Sequence, residues 1–108
     1  MNVHKFIRSF SYAFEGIRTA MKEQNMRFHI LAAVVVVIAG FLTGLTSTEW
    51  SILVLVIGAV IGIEMVNTAI ERVVDLASAD IHPLAKQAKD IAAGAVLVIA
   101  ALSVIIGV

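Results

Sequence analysis

The chain is 108 residues long, 60% hydrophobic and 15% charged, with a formal net charge of zero and no cysteine. That length allows one domain, the absence of cysteine excludes disulfides and thiolate chemistry, and so apolar a composition excludes an ordinary soluble domain. The charges are also segregated. Lys5, Arg8, Arg18, Lys22, Arg27, Glu15 and Glu23 fall in residues 1–27, residues 64–90 hold nearly all the others, and only Glu49 lies elsewhere. A soluble surface needs charge spread over it, so the pattern predicts an all-α integral membrane protein: an amino-terminal amphipathic surface helix plus three transmembrane helices.

Residues 1–27 read as the surface helix. Val3, Phe6, Ile7, Phe10, Ala13, Phe14, Ile17, Ala20 and Met21 recur at the three-and-four spacing of one helical face. Lys5, Arg8, Glu15, Arg18 and Lys22 take the other side. A basic, aromatic-bearing helix of this kind lies in the membrane interface or packs on the body of the protein, and the two are compatible. No small-residue cleavage site follows a short apolar core, so the segment does not read as a secretory signal.

The first transmembrane helix is expected over 28–46, because residues 28–45 are 18 positions without a formal charge, close to the roughly 20 that span a bilayer. Gly44, Thr46, Ser47 and Thr48 make a turn, and Trp50 stands where an interfacial aromatic belongs. The second helix is expected over 49–75. A loop over 76–83 follows, containing Pro83, the only proline. The third helix is expected over 85–108, with residues 91–108 uncharged and Gly94 among alanines that permit close packing. The turn between the first two spans has no Lys or Arg. Positive-inside logic therefore places the amino terminus and the 76–88 loop in the cytoplasm and the carboxy terminus outside, in a multi-pass cell-membrane protein. A monomer this small buries little of a polar site, which points to an oligomer.

The second span carries the chemistry. After the charge-free run 50–63, polar groups appear at Glu64, Asn67, Glu71 and Asp75, at offsets of three, four and four. Those steps put all four side chains on one face of a helix, while Met65, Val66, Ile70, Val73 and Val74 keep the other face apolar. Glu64 lies 14 residues beyond Trp50, roughly 21 Å along the helix. In a hydrocarbon core roughly 30 Å thick it sits several ångströms below the cytoplasmic boundary, and Glu71, two turns on, reaches the headgroup layer. A lipid hydroxyl floats at that depth, and a water-soluble donor reaches Glu71 from the other side.

Each group also has a plainer use. Glu64 serves as a protonated hydrogen-bonding partner, Asn67 as helix–helix glue, and Glu71 and Asp75 as solvated helix ends. Lys89 and Asp90 serve as a surface pair, Glu23 as a partner of Arg27 one turn on, and His82 as a loop residue. Together they set four acids, an amide and a lysine at one membrane depth. An ionisable group inside a membrane is costly enough that such a cluster reads as functional.

The run Glu64-x-x-Asn67-Thr68-Ala69-Ile70-Glu71-x-x-x-Asp75, then His82-Pro83-Leu84-Ala85-Lys86, then Ala88-Lys89-Asp90-x-Ala92-Ala93-Gly94-Ala95-Val96, resembles the small bacterial lipid kinases. These are the prokaryotic diacylglycerol kinase and undecaprenol kinase family. The resemblance covers essentially the whole chain, including Gly16-Ile17-Arg18 and Glu23-x-x-x-Arg27. It implies a homotrimer with active sites shared between subunits, ATP as phosphoryl donor and Mg²⁺ as cofactor, with no nucleic-acid partner. By resemblance, Glu64 is the general base toward the lipid hydroxyl. Glu23 and Glu71 hold magnesium on the ATP phosphates, and Asn67 supports them. Lys89 and Asp90 belong to the nucleotide site, with Tyr12, Asp80 and His82 at nucleotide-contacting positions. Lys5 stands where some members have Arg, and Arg8 where some have Lys. No Walker-type loop and no protein-kinase signature is present.

Members that prefer diacylglycerol carry Glu-Ala-Ala-Phe-Arg-Gln-Glu where this chain has Glu23-Gln24-Asn25-Met26-Arg27-Phe28-His29. That stretch, with Ser78-x-x-x-His82-Pro83-Leu84-Ala85-Lys86, resembles the Gram-positive branch and implies undecaprenol as the substrate. Diacylglycerol is the alternative. From a different class, Glu64 and Glu71 would be the relays of a small ion or proton transporter, a reading opposed by the featureless outer half of every span.

Overall fold

The computed structural model of the chain describes residues 2–77 and 82–107. It consists of α1 (Val3–Ala20), α2 (Gln24–Thr43), α3 (Ser47–Ala77) and α4 (Pro83–Gly107), with no strand among the described residues. Helices α2, α3 and α4 are each long and apolar enough to cross a membrane. At 31 residues, α3 is roughly 46 Å long. It exceeds the hydrocarbon thickness by roughly 16 Å, so part of it stands beyond the apolar layer.

The helix ends follow from local chemistry. The Asn2 side chain accepts a hydrogen bond from the Lys5 backbone N–H at 3.2 Å and caps α1. The amphipathic spacing runs through Met21, but the helix stops at Ala20. Glu23 then takes an extended conformation, with φ −75° and ψ 136°, and starts α2 at Gln24. The surface helix expected over 1–27 is thus two pieces, and the first span begins four residues before Phe28. The polar run Lys22-Glu23-Gln24-Asn25 gives the first helix no apolar stripe to continue. Arg27 stabilises the break by donating to the Lys22 carbonyl at 2.8 Å. At the other end of the spans, Gly44 closes α2 in the left-handed conformation, with φ 75°, which costs glycine nothing. Thr46 and Glu49 form a reciprocal capping box at the start of α3: the Thr46 hydroxyl accepts from the Glu49 N–H at 3.2 Å, and the Glu49 carboxylate accepts from the Thr46 N–H at 3.1 Å.

Helix α3 is the centre. It packs against both α2 and α4, and α1 also touches it. At the turn end of the spans, Trp50 lies 4.8 Å from the Phe41 ring. A Cβ added at Gly40 would stand 2.9 Å from the Trp50 ring and 3.0 Å from Leu45. Helix α1 leaves both faces exposed apart from Ala20, including Phe6, Phe10, Phe14 and Ile17. Packing on its own body therefore accounts for little of its apolar stripe.

Very little of the single chain is buried, and what is buried is unusual. Ala20, Met26 and Ala92 are the buried apolar side chains among the described residues, while Glu64 and Asn67 are buried too. A carboxylate and an amide lie deeper than most of the valines and leucines around them. That is the arrangement of a protein whose surrounding solvent is apolar.

A carboxylate site at the polar end of the bundle

The polar stripe of α3 falls on one face, and its burial decreases along the helix. Glu64 and Asn67 are buried, Glu71 is half-buried and Asp75 is exposed. The gradient tracks distance from the apolar run that precedes Glu64. Asn67 binds the next acid on the stripe, its amide donating to Glu71 Oε1 at 3.2 Å. The other amide atom, Oδ1, is buried with no hydrogen-bond partner among the described residues. A buried acceptor left open in this way is costly and marks a place for something to bind.

Three neighbouring elements bring side chains to this stripe. From the turn before α2, Glu23 accepts from Arg72 of α3 at 2.5 Å. From α2 itself, His29 Nε2 lies 3.4 Å from Glu64 Oε2. From α4, Lys89 pairs with Asp75 at 2.5 Å, while Lys86 and Asp90 pair with each other at 2.6 Å one turn apart. His82 caps α4, its Nδ1 accepting from the Leu84 N–H at 3.1 Å, just before Pro83 in the first helical position.

Of the residues singled out from sequence, Glu64, Asn67, Glu71, Lys89 and Glu23 converge on α3. Asp90 stays beside them, paired with Lys86. Lys5, Arg8 and Tyr12 lie exposed on α1. Among the described residues, no ion pair or side-chain hydrogen bond joins these three to the acids. Asp80 lies outside the described residues.

Among the described residues no three His, Asp or Glu side chains gather into a metal cage. Mg²⁺ rarely uses one, being held by one or two carboxylates together with substrate phosphates. Glu71 and Glu23 offer hard carboxylate oxygens and Asn67 Oδ1 a neutral one, so the donor set fits that ion. Two contributors escaped the sequence reading, His29 and Arg72. An ionisable residue two positions into an apolar run was the available signal for His29. Nothing local marked Arg72.

A bundle with three helices apolar enough to cross a membrane, and with acids, an amide and lysines gathered toward one end, defines a membrane protein with a polar site. The comparisons give that class its family. Residues 11–108 match the family model for prokaryotic diacylglycerol kinase. An undecaprenol kinase of Bacillus subtilis is 51% identical over 97% of this chain and 86% of its own length. A diacylglycerol kinase of Synechocystis is 44% identical over 92% of this chain and 58% of its own length. One from Helicobacter pylori is 34% identical over 87% of this chain and 74% of its own. The chain belongs to the prokaryotic diacylglycerol kinase family. It is a membrane lipid kinase, carrying out ATP-dependent phosphotransfer to a lipid.

Proposed function

We propose that this chain transfers the γ-phosphoryl group of MgATP to the hydroxyl of undecaprenol, giving undecaprenyl phosphate, with Glu64 as general base. The observation that carries the mechanism is Glu64 itself, 4% exposed at the end of a charge-free helical run. It is placed for a hydroxyl that arrives from the lipid side. Phosphoryl transfer asks mainly for positioning and charge neutralisation. Glu64 takes the proton of the lipid hydroxyl. Asn67 fixes Glu71, and Lys89 exchanges Asp75 for a phosphate oxygen, to which it offers a compact charge. Glu23, which now accepts from Arg72, and Glu71 would hold the metal. When bound, Mg²⁺ neutralises charge on the phosphates. Asp90, His82, Asp80, Tyr12, Lys5 and Arg8 serve the nucleotide.

The choice of undecaprenol is supported by similarity to the Bacillus subtilis undecaprenol kinase. It also has a physical basis. Ester carbonyls of a diacylglycerol need hydrogen-bond donors, and a site built for them rejects an analogue without them. Here the Asn67 amide is taken by Glu71, and Lys89 is assigned to a phosphate oxygen. The second reading, diacylglycerol as substrate, is favoured by the names of the Synechocystis and Helicobacter relatives. The two lipids are competed at equal mole fraction in one micelle preparation with labelled ATP. The expected result is an excess of undecaprenyl phosphate. An excess of phosphatidic acid overturns the lipid assignment and leaves the kinase intact.

The working unit in this reading is a homotrimer that shares its sites, with the polar end in the cytoplasm. The support is the chain's own low burial: only 6–11% of each span's most apolar window is covered within one chain. Mixed oligomers of Glu64→Gln and Glu23→Gln subunits should then regain part of the activity that each variant lacks alone.

A further inference from the structure

We propose that His29 is a positioning residue for phosphoryl transfer, its imidazole orienting the Glu64 carboxylate toward the lipid hydroxyl. The proposal rests on Glu64 being the base. A carboxylate taken this far out of water needs a partner. Among the described residues, the one cationic or imidazole group within ion-pairing distance of Glu64 is His29, with Nε2 3.4 Å from Oε2. Glu71 takes the Asn67 amide, and three other acids are held by cations. Glu23 is held by Arg72 at 2.5 Å, Asp75 by Lys89 at 2.5 Å and Asp90 by Lys86 at 2.6 Å. Glu64 alone has an imidazole in that place.

The difference has a chemical consequence. A permanent cation in tight contact draws the carboxylate to itself and competes with any hydroxyl that approaches. A single imidazole N–H donated to Oε2 would fix the plane of the group and leave Oε1 for the substrate. The proton then passes from the lipid oxygen to Oε1 as that oxygen bonds the γ-phosphorus and the bond to ADP breaks. His29 neither gains nor loses a proton. The present separation is longer than a formed N–H···O bond, as catalytic contacts often are before substrate tightens them.

The fold holds His29 for this task. Met26, one turn earlier on the same face of α2, is the most deeply buried side chain of the described residues, 1% exposed. Ala33, Val37 and Gly40 continue that face inward. Packing along the stripe sets the register of α2 against α3, and the register brings His29 to Glu64. Beside it, the Phe28 ring meets the imidazole edge-on at 5.9 Å between centroids.

The test is steady-state kinetics of the full chain in mixed micelles. His29→Ala should lower kcat by about 10- to 100-fold, the usual loss when a group orienting a reactive ligand is removed. KM for MgATP should stay within about twofold, since uniform binding is untouched. His29→Gln places an amide N–H near the position of Nε2 and should restore most of kcat. In a Glu64→Gln background, His29→Ala should cost nothing further, because two residues acting through one step are not additive. If His29→Ala extracts poorly, His29→Leu, apolar and suited to a span, carries the same comparison. Native kcat in His29→Ala overturns the proposal. So do equal losses in the Ala and Gln variants that add to Glu64→Gln, the signature of a packing role. An active Glu64→Gln would remove the base itself, a separate failure visible without any His29 variant.

Discussion

Glu49 at the start of α3 and Glu64 just past its middle are handled in opposite ways. At the turn end, Glu49 is exposed and satisfied within its own turn by Thr46. Gly44, Gly40 and Trp50 complete a hairpin in which each device has a local purpose. At the polar end, Glu64 is buried, and its neighbour His29 is 35 positions away in sequence. Glu23 reaches Arg72 across 49 positions, and Asn67 Oδ1 has no partner among the described residues. Local satisfaction marks an acid that shapes the chain. Burial and a distant partner mark Glu64 as an acid kept for chemistry. The two ends should therefore respond differently to the same class of substitution.

The largest effect falls on Glu64. Glu64→Gln keeps the shape and hydrogen bonding but cannot accept a proton. Loss of a general base costs on the order of 10²–10⁴ in rate. Turnover should fall in that range while MgATP affinity and yield from the membrane stay near those of the native chain. Near-normal turnover would erase the contrast with Glu49 and take Glu64 out of the mechanism.

Next come Glu71 and Glu23. If both hold the metal, Glu71→Gln and Glu23→Gln should each weaken MgATP binding by about 10- to 100-fold, measured by nucleotide titration with and without Mg²⁺. The two need not match. Glu71 is already oriented by Asn67, whereas Glu23 must leave Arg72. Unchanged affinity in both would show that these acids are structural, as Glu49 is.

How much of this was readable beforehand follows the same division. The spans were legible because long uncharged runs have one use in a chain this apolar, and the stripe Glu64, Asn67, Glu71, Asp75 was legible because helical period alone places those residues together. The break at Met21–Glu23 was not, since the apolar spacing continues to Met21, one residue past the end of α1, and the extended Glu23 backbone fixes where the helix stops. The His29–Glu64 and Arg72–Glu23 contacts were not legible either. They depend on the register of one helix against another, and periodicity identifies a face without fixing its height. Lys89 was found as a site residue, but its engagement with Asp75 was not.

At the turn end the expected effects are on stability and leave chemistry alone. Gly40→Ala would set a methyl 2.9 Å from the Trp50 ring. Overpacking of this kind costs about 1–3 kcal/mol, and the detergent-solubilised protein should unfold at a lower temperature. Activity per folded molecule should be unchanged, because the hairpin lies roughly 21 Å along the helix from Glu64. A parallel loss of turnover in the folded fraction would mean that the two ends are coupled through α3.

The smallest effect is at Thr46. Thr46→Ala removes the hydroxyl that accepts from the Glu49 N–H and leaves the Glu49 carboxylate its bond to the Thr46 backbone. Half of the reciprocal cap survives. Loss of an N-cap hydroxyl typically costs about 1 kcal/mol, and here the freed N–H sits at an exposed helix start where water or lipid headgroups replace the bond. A thermal scan should show a modest downward shift, smaller than for Gly40→Ala. Lipid phosphorylation below the transition should match the native chain in kcat and in KM for MgATP. The pair Thr46→Ala and Glu64→Gln is the sharpest form of the comparison, since each removes one polar capability from the same helix. One should change stability with chemistry intact, the other chemistry with stability intact. If Thr46→Ala lowers kcat instead, the start of α3 sets the height of the whole polar stripe, and the two ends are a single device.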